Sequence, residues 1–409
     1  MSINYILIPK PTKNIRFDCP SDAKSVYLDA AKNHTYDLTS IPRNVENIKF
    51  GLEFNQPIIP NTLPPGLQTI HFGREFNYPI NKNALPSGLR KIWFSDKFNQ
   101  QIEKDVLPTG LQMIIFGRNF NQLIERDILP DRLQTIMFNC EFNQPIGKNV
   151  LPNGLSIIKF GYFFNQPLQV DVLPHGLQYI MFGYQFNQPI EKNILPQKLH
   201  IISFDHMFDQ TIEKGVLPHE LKTIRFGFNF NQAIEKDVLP AGLQSIIFGY
   251  LFNQAIEKDV LPIGLQSIIF GHFFNQPIEK DVLPIGLQSI IFDYSFNQPI
   301  KKNALPNGLQ SVFFGHSFNQ PIEKDVLPSE LETIQFGYYF NQSLDNIPKK
   351  TKIYIWQVPQ ITTHDYTLYR FCESDFIALN INFNDIYTKK LNNKIYYMVD
   401  IKLHDLSTN

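Results

Sequence analysis

A phenylalanine followed by asparagine, or once by aspartate, recurs fourteen times at intervals of 22 residues, from Phe54 to Phe340, without one insertion or deletion. One copy runs Phe252-Asn253-Gln254-Ala255-Ile256-Glu257-Lys258-Asp259-Val260-Leu261-Pro262-Ile263-Gly264-Leu265-Gln266-Ser267-Ile268-Ile269-Phe270-Gly271-His272-Phe273, and the next begins at Phe274. A fixed period of this size belongs to a solenoid, in which each copy buries its apolar face only against its neighbours. It outweighs the two or three domains that 409 residues would otherwise suggest.

Within a copy, Leu243-Gln244-Ser245-Ile246-Ile247-Phe248 predicts a short strand, because Ile and Phe two positions apart give one buried face. Stacked copies would set these strands side by side in one parallel sheet. Gly follows the strand in ten copies, and Ser95, Asn139, Asp205 and Asp293 fill the slot in the others. That set predicts a turn with positive φ or with a side chain bonded to its own backbone. The next Phe-Asn is expected to point its Asn inward and bond along the stack, most weakly at Asp209, which lacks amide donors. Leu-Pro marks the return corner. Ile-Glu-Lys-Asp-Val between the corners predicts a solvated side, where Glu and Lys columns pair from copy to copy.

The expected fold is therefore a β-rich repeat solenoid, a leucine-rich-repeat-like right-handed coil stack with one parallel β-sheet and about 14 coils. Residues 1–40 read as a degenerate coil or cap, with Ile8-Pro9 and Ile15-Arg16-Phe17 echoing the repeat and Val26 and Leu28 suited to a further strand. Regular coils are expected over 41–356, ending on Ile353-Tyr354-Ile355-Trp356. Residues 357–409 predict a β-rich C-terminal cap, with a hairpin of Ile386–Leu391 and Lys394–Ile401 joined at Asn392-Asn393.

The unit Phe-Asn-Gln-Pro-Ile…Leu-Pro-x-Gly-Leu-x-x-Ile-x-Phe-Gly resembles the FNIP repeat and covers about 300 residues in register. Such repeats are known from slime moulds and from large DNA viruses that infect amoebae, and are regarded as related to leucine-rich repeats. Leu243, Ile246 and Phe248 are similar to the leucine-rich strand pattern, although Asn253 follows Phe248 by five residues where that pattern has three. Many members carry an F-box ahead of the repeats, which implies substrate recruitment to a ubiquitin ligase. Residues 1–40 show no helical F-box-like pattern.

Composition narrows the function. A net charge of −1 without long charge runs removes the footprint of a general nucleic-acid binder. Three cysteines, Cys19, Cys140 and Cys372, share no metal or disulfide spacing and favour a reducing compartment. The first residues lack a secretory signal, and no apolar run is long enough to cross a bilayer, so the expected location is intracellular and cytoplasmic (host cytoplasm if viral). No catalytic motif, cofactor loop or metal spacing stands out. His206, His272 and His316 share a column, but at about 4.8 Å per coil they stand roughly 14 and 10 Å apart, too far for Zn–N bonds of about 2.1 Å.

What individuates the chain is its variable outward positions. The residue between the core Ile and Phe is apolar in two blocks, Trp93, Ile115 and Met137, then Ile247, Ile269, Ile291 and Phe313. A second column, one residue past the Gly, turns aromatic or His from Tyr162 onward and includes Tyr250, His272, Tyr294 and His316. These columns are either stabilising ladders or a face that binds a protein partner. Carbohydrate recognition by the aromatic column, a self-associating structural rod and ubiquitin-ligase recruitment are the alternatives, and an enzyme is not expected.

Overall fold

The computed structural model describes residues 5–7, 15–16, 20–29, 35–355 and 368–370. The expected hairpin at 386–401, most of the expected C-terminal cap, Ile8-Pro9, Phe17, Trp356, Cys19 and Cys372 lie outside the described residues. The chain is a parallel β-solenoid of about 15 turns with a 22-residue period. It divides into two compact units, residues 1–265 and 266–409.

The first unit holds β1 (Tyr5–Leu7), β2 (Ile15–Arg16), β3 (Ser25–Leu28), β4 (Tyr36–Asp37) and β5 (Asn47–Phe50). One strand per copy follows: β6 (Thr69–His71), β7 (Lys91–Trp93), β8 (Met113–Ile115), β9 (Thr135–Met137) and β10 (Ile157–Lys159). β11 (Tyr179–Met181), β12 (Ile201–Ser203), β13 (Thr223–Arg225) and β14 (Ser245–Ile247) complete it. All pairings are parallel, and from β3 onward the register is one period, as in Val26 to Ile48 and Ile158 to Ile180. Val26 and Leu28 thus form the extra strand foreseen before the regular repeats. β2 and β4 pair separately.

The second unit holds β15 (Ser267–Ile269), β16 (Ser289–Ile291), β17 (Ser311–Phe313), β18 (Thr333–Phe336), β19 (Lys352–Ile355) and β20 (Leu368–Arg370). Its ladder is also parallel, and it runs one strand beyond the Ile353–Ile355 strand that had closed the expected series.

Two phenylalanine columns fill each core. In the first unit the strand Phe and the corner Phe of one coil stack at 3.8–4.3 Å, as in Phe50–Phe54 and Phe94–Phe98. Along the corner column the rings stand 6.1–6.2 Å apart, from Phe54–Phe76 to Phe208–Phe230. Leu, Ile and Phe at the inward positions are buried in both units, with Ile234 half-buried. Truncating one such Phe to Ala costs about 3–5 kcal/mol by the usual cavity penalty.

The Asn does not point inward. It is half-buried or exposed at the corner, and its Oδ1 accepts the backbone N–H of the Asn one coil on, at 2.9 Å from Asn187 N to Asn165. The following Gln gives its Nε2 to the same oxygen, 3.1 Å for Gln188 to Asn165. The column therefore runs on acceptors, which Asp209 keeps: it accepts from Asn231 N at 2.8 Å and Gln232 at 3.0 Å. The expected weak point is not there, because the missing donors are not what the ladder uses.

The Gly slot meets one half of the expectation and not the other. Where Gly is absent, side chains bond nearby backbone: Asn139 and Asp293 accept the next N–H at 2.9 and 2.8 Å, and Ser95 Oγ accepts Phe98 N–H at 2.9 Å. The glycines do not supply the expected angle. Their φ is not positive; what excludes a side chain is the coil before. A Cβ on Gly183 would lie 1.6 Å from the Gly161 carbonyl oxygen, and one on Gly117 1.6 Å from that of Ser95. The positive φ falls instead on the Asp of Ile-Glu-Lys-Asp-Val, with φ of 61–65° at Asn61, Asp105, Asn149 and Asp325, and 82° at Gly215. Only Asn, Asp and Gly occupy that slot, the residues that tolerate left-handed backbone. The same Asp pairs with the Lys one coil back, as in Lys82–Asp105 at 2.9 Å and Lys214–Asp237 at 2.7 Å in the first unit. Lys is thus matched mainly to Asp and not to the Glu column, although Lys301–Glu279 does form at 2.6 Å in the second unit.

The acceptor ladder makes a direct prediction. Asn165→Ala leaves Asn187 N–H and the Gln188 amide without their acceptor and should lower stability by about 1–3 kcal/mol, whereas Asn165→Asp should be close to neutral. Urea unfolding midpoints of the two variants check this; equal losses would remove the acceptor account.

Candidate functional site

The two residues flanking the core Ile stand on the outer face of the sheet by strand alternation. One of them is the candidate column of Trp93, Ile115, Met137 and Ile247. The other carries Met113, Ile157, Tyr179 and Ile201 in the first unit, and alternation alone would have revealed it. Both columns are less open than expected. Trp93, Ile115 and Met137 are half-buried, as are Ile269, Ile291 and Phe313 in the second unit. Ile247 is only 8% exposed. Neighbours a strand spacing of about 4.8 Å away cover each other's flanks, so Ile247 offers little contact area.

At one end of this face His71 stacks on Trp93, ring centroids 3.9 Å apart and 11° between planes. Burial, reinforced by the nearby Lys49 charge, lowers the His71 pKa to about 4. Lys49 in turn lies over the Tyr27 ring at 5.9 Å.

The second column is a ring stack. Tyr162, Tyr184, His206, Phe228 and Tyr250 follow one another at centroid separations of 4.4, 4.4, 4.2 and 4.4 Å, nearly parallel. Each ring covers the faces of its neighbours and presents an edge to solvent. In the second unit His272 stacks on Tyr294 at 4.7 Å, and His316 follows at 5.2 Å with a 39° tilt. Burial lowers the His316 pKa, against the pull of Asp293.

The most open apolar side chains lie outside the two candidate columns. Ile263 in the first unit is 74% exposed and Ile285 in the second 73%, both in the Leu-Pro-x-Gly-Leu turn. The sequence signal was available, since most other copies place a polar or small residue there, such as Ser87, Asp131 or Gln197. Among the described residues no group of three or more His, Cys, Asp or Glu could hold a metal ion. No helix among them is long and apolar enough to cross a membrane. Cys140 is a half-buried free thiol.

The His71 stack carries a pH prediction. Unfolded chain takes up a proton on this ring near pH 6.5, the folded chain only near pH 4. Stability should therefore fall by about 1–2 kcal/mol as pH drops through that window, less than the full shift implies because the half-buried ring is partly screened by solvent, and His71→Gln should lose that part of the dependence. Histidine ring NMR titration tests the cause directly; a His71 midpoint near 6.5 would mean that the ring is not desolvated.

Comparison with known proteins places this geometry. The FNIP Repeat family matches eight times, over residues 33–65, 54–97, 98–141, 142–185, 186–229, 230–273, 274–317 and 318–353. A giant-virus protein, CroV588, described as a novel circular LRR protein structure, is 40% identical with a TM-score of 0.79, over 85% of this chain and 51% of that one. The chain thus spans about half the length of that structure. The Toll–Spatzle complex from Drosophila matches at 15% identity and TM-score 0.61, over 90% of this chain and 59% of that chain, a likeness of fold alone. No curated protein matches significantly. With eight matches, most of them two 22-residue copies long, spread over most of its length, the chain belongs to the FNIP-repeat family, a leucine-rich-repeat-like group of solenoids.

Proposed function

We propose that the chain is a non-enzymatic interaction scaffold whose sheet face recognises a protein partner. The observation that carries this reading is the set of large side chains on that face, Trp93, Ile115 and Met137 in the first unit and Ile269, Ile291 and Phe313 in the second. The described residues contain no α-helix to cover them. Leucine-rich-repeat-like solenoids commonly serve as protein-interaction scaffolds. A half-buried row of Ile, Met and Trp supplies contact area at low ordering cost, because its rotamers are already restrained by neighbours. The carbohydrate alternative needs open ring faces, and the stack from Tyr162 to Tyr250 occupies them. Tyr250 in the first unit, and His272, Tyr294 and His316 in the second, then serve as an edge-on margin to the face of their own unit. Ubiquitin-ligase recruitment rests on the family resemblance alone.

Charge placed at Ile269 and Ile291 together (both to Glu) should abolish partner capture from the native cell while the circular dichroism spectrum stays unchanged. Recovery of the same proteins by wild type and variant would remove the face as the site.

Self-association gains support from one observation. CroV588 is described as circular, and this chain matches half of it, so two copies joined head to tail would match about the whole. Light scattering after sizing chromatography should then give twice 47.5 kDa. A monomer at every concentration removes this second reading.

A further inference from the structure

The first unit's sheet face is electrostatically one-sided in a chain whose net charge is −1. From β6 to β14, the two positions flanking the core Ile and the one before them hold no Asp or Glu. They do hold Arg90, Lys91, Lys159, Lys222 and Arg225. Arg90 and Lys222 turn to the main chain, to the carbonyls of Gly110 at 2.9 Å and Gly242 at 3.4 Å. Lys91, Lys159 and Arg225 have no ion pair among the described residues, and Lys91 and Lys159 are exposed. Arg225 reaches close enough to Tyr179 for its charge to oppose the rise that burial gives that phenol. Carboxylates stand at the margins: Asp131 and Glu220 in the turn before the strands, Glu220 at 3.6 Å from His200, and Glu75, Asp96, Glu141 and Asp205 in the adjoining corner.

Between the three cations the face is apolar and half-buried, with Met113, Ile115, Met137, Ile157, Tyr179 and Met181 in register across β8 to β11. Met and Ile pack against varied apolar partners, and unpaired cations among them select a carboxylate. Lys159 and Arg225 share a column three coils apart, roughly 14 Å at about 4.8 Å per coil. An extended peptide rises about 3.3 Å per residue, so this distance is about four residues, and residues four apart project from the same side. The residue midway between them also faces the sheet, over Met181, Tyr179 and Ile201.

We infer that this face binds an extended acidic–apolar segment of a protein partner, with carboxylates at every fourth residue and large apolar side chains between them. The inference rests on the sheet-face reading above and names the chemistry of the partner. Single-stranded nucleic acid fits less well. Its bases need open ring faces and its phosphates closely spaced cations, whereas here the stacked rings cover one another and the cations are three coils apart.

The test is fluorescence anisotropy of the full chain with a labelled synthetic peptide carrying Glu at every fourth position and Leu or Phe between. Wild type should bind, with affinity falling as salt is added. Lys159→Glu with Arg225→Glu should weaken binding by about tenfold or more and should instead bind the peptide with Lys in place of Glu. If the reversed chain loses its circular dichroism spectrum, Lys159→Gln with Arg225→Gln replaces it, with weakening still expected. No binding by wild type, equal binding of the Glu and Lys peptides, or displacement of the peptide by an equal concentration of single-stranded RNA would each overturn the inference. Partner capture by a variant of the same unit's face, Ile115→Glu with Met137→Glu, is scored separately. Capture lost in that variant without peptide binding by wild type overturns only the acidic segment; capture retained overturns the face itself.

Discussion

One oxygen per coil closes the corner that the strand ladder leaves open. The short strands join neighbouring coils along one side, and the Phe columns fill the interior without fixing direction. The Asn Oδ1 fixes it, because it takes the N–H of the equivalent residue one period on and the amide of the Gln beside it. Since the bond asks only for an acceptor, aspartate can stand in at 209 with contacts of 2.8 and 3.0 Å. In the first unit each such tie reaches the adjacent coil, so cohesion there is a sum of nearest-neighbour terms.

The same regularity sorts charge. The repeat places its Glu, Lys and Asp on the side opposite the strands, where Lys–Asp pairs such as Lys236–Asp259 at 3.1 Å neutralise each other in the open. Such pairs contribute about 0–1 kcal/mol each. Their larger effect is compositional, since most of the repeat's carboxylates are kept on that side and the sheet face of the first unit is left cationic. A near-neutral chain can thus carry a directed field, which net charge alone conceals.

Much of the fold was legible in the sequence because the spacing of Phe, Leu-Pro and Ile-x-Phe has a single economical packing. Val26 and Leu28 could be placed even outside the regular copies, through their alternation. The errors have a common cause. At the Gly slot, composition suggested a backbone angle, whereas the real constraint is a carbonyl in the previous coil, which no single copy contains. The true positive-φ slot was visible as an Asn, Asp and Gly column but was read as solvated surface. Likewise, alternation told which way Ile247 points but not that its neighbours would leave it 8% exposed. Faces of stacked rings and segregated charge are also properties of several coils together, and a repeat read one copy at a time hides them.

The close approach at the Gly slot has an evolutionary corollary. Wherever Ser95, Asn139, Asp205 or Asp293 breaks the column, the next copy returns to Gly, and no two substituted copies are neighbours. Directly on top of a substituted copy a Cβ would have no room: one on Gly117 would lie 1.6 Å from the Ser95 carbonyl oxygen, and one on Gly315 2.0 Å from that of Asp293. On this geometry, gain or loss of whole 22-residue units is expected to keep substituted copies apart. Excising the copy that carries Gly117 would seat Asn139 on Ser95, so the coils are not interchangeable beads but have a permitted order.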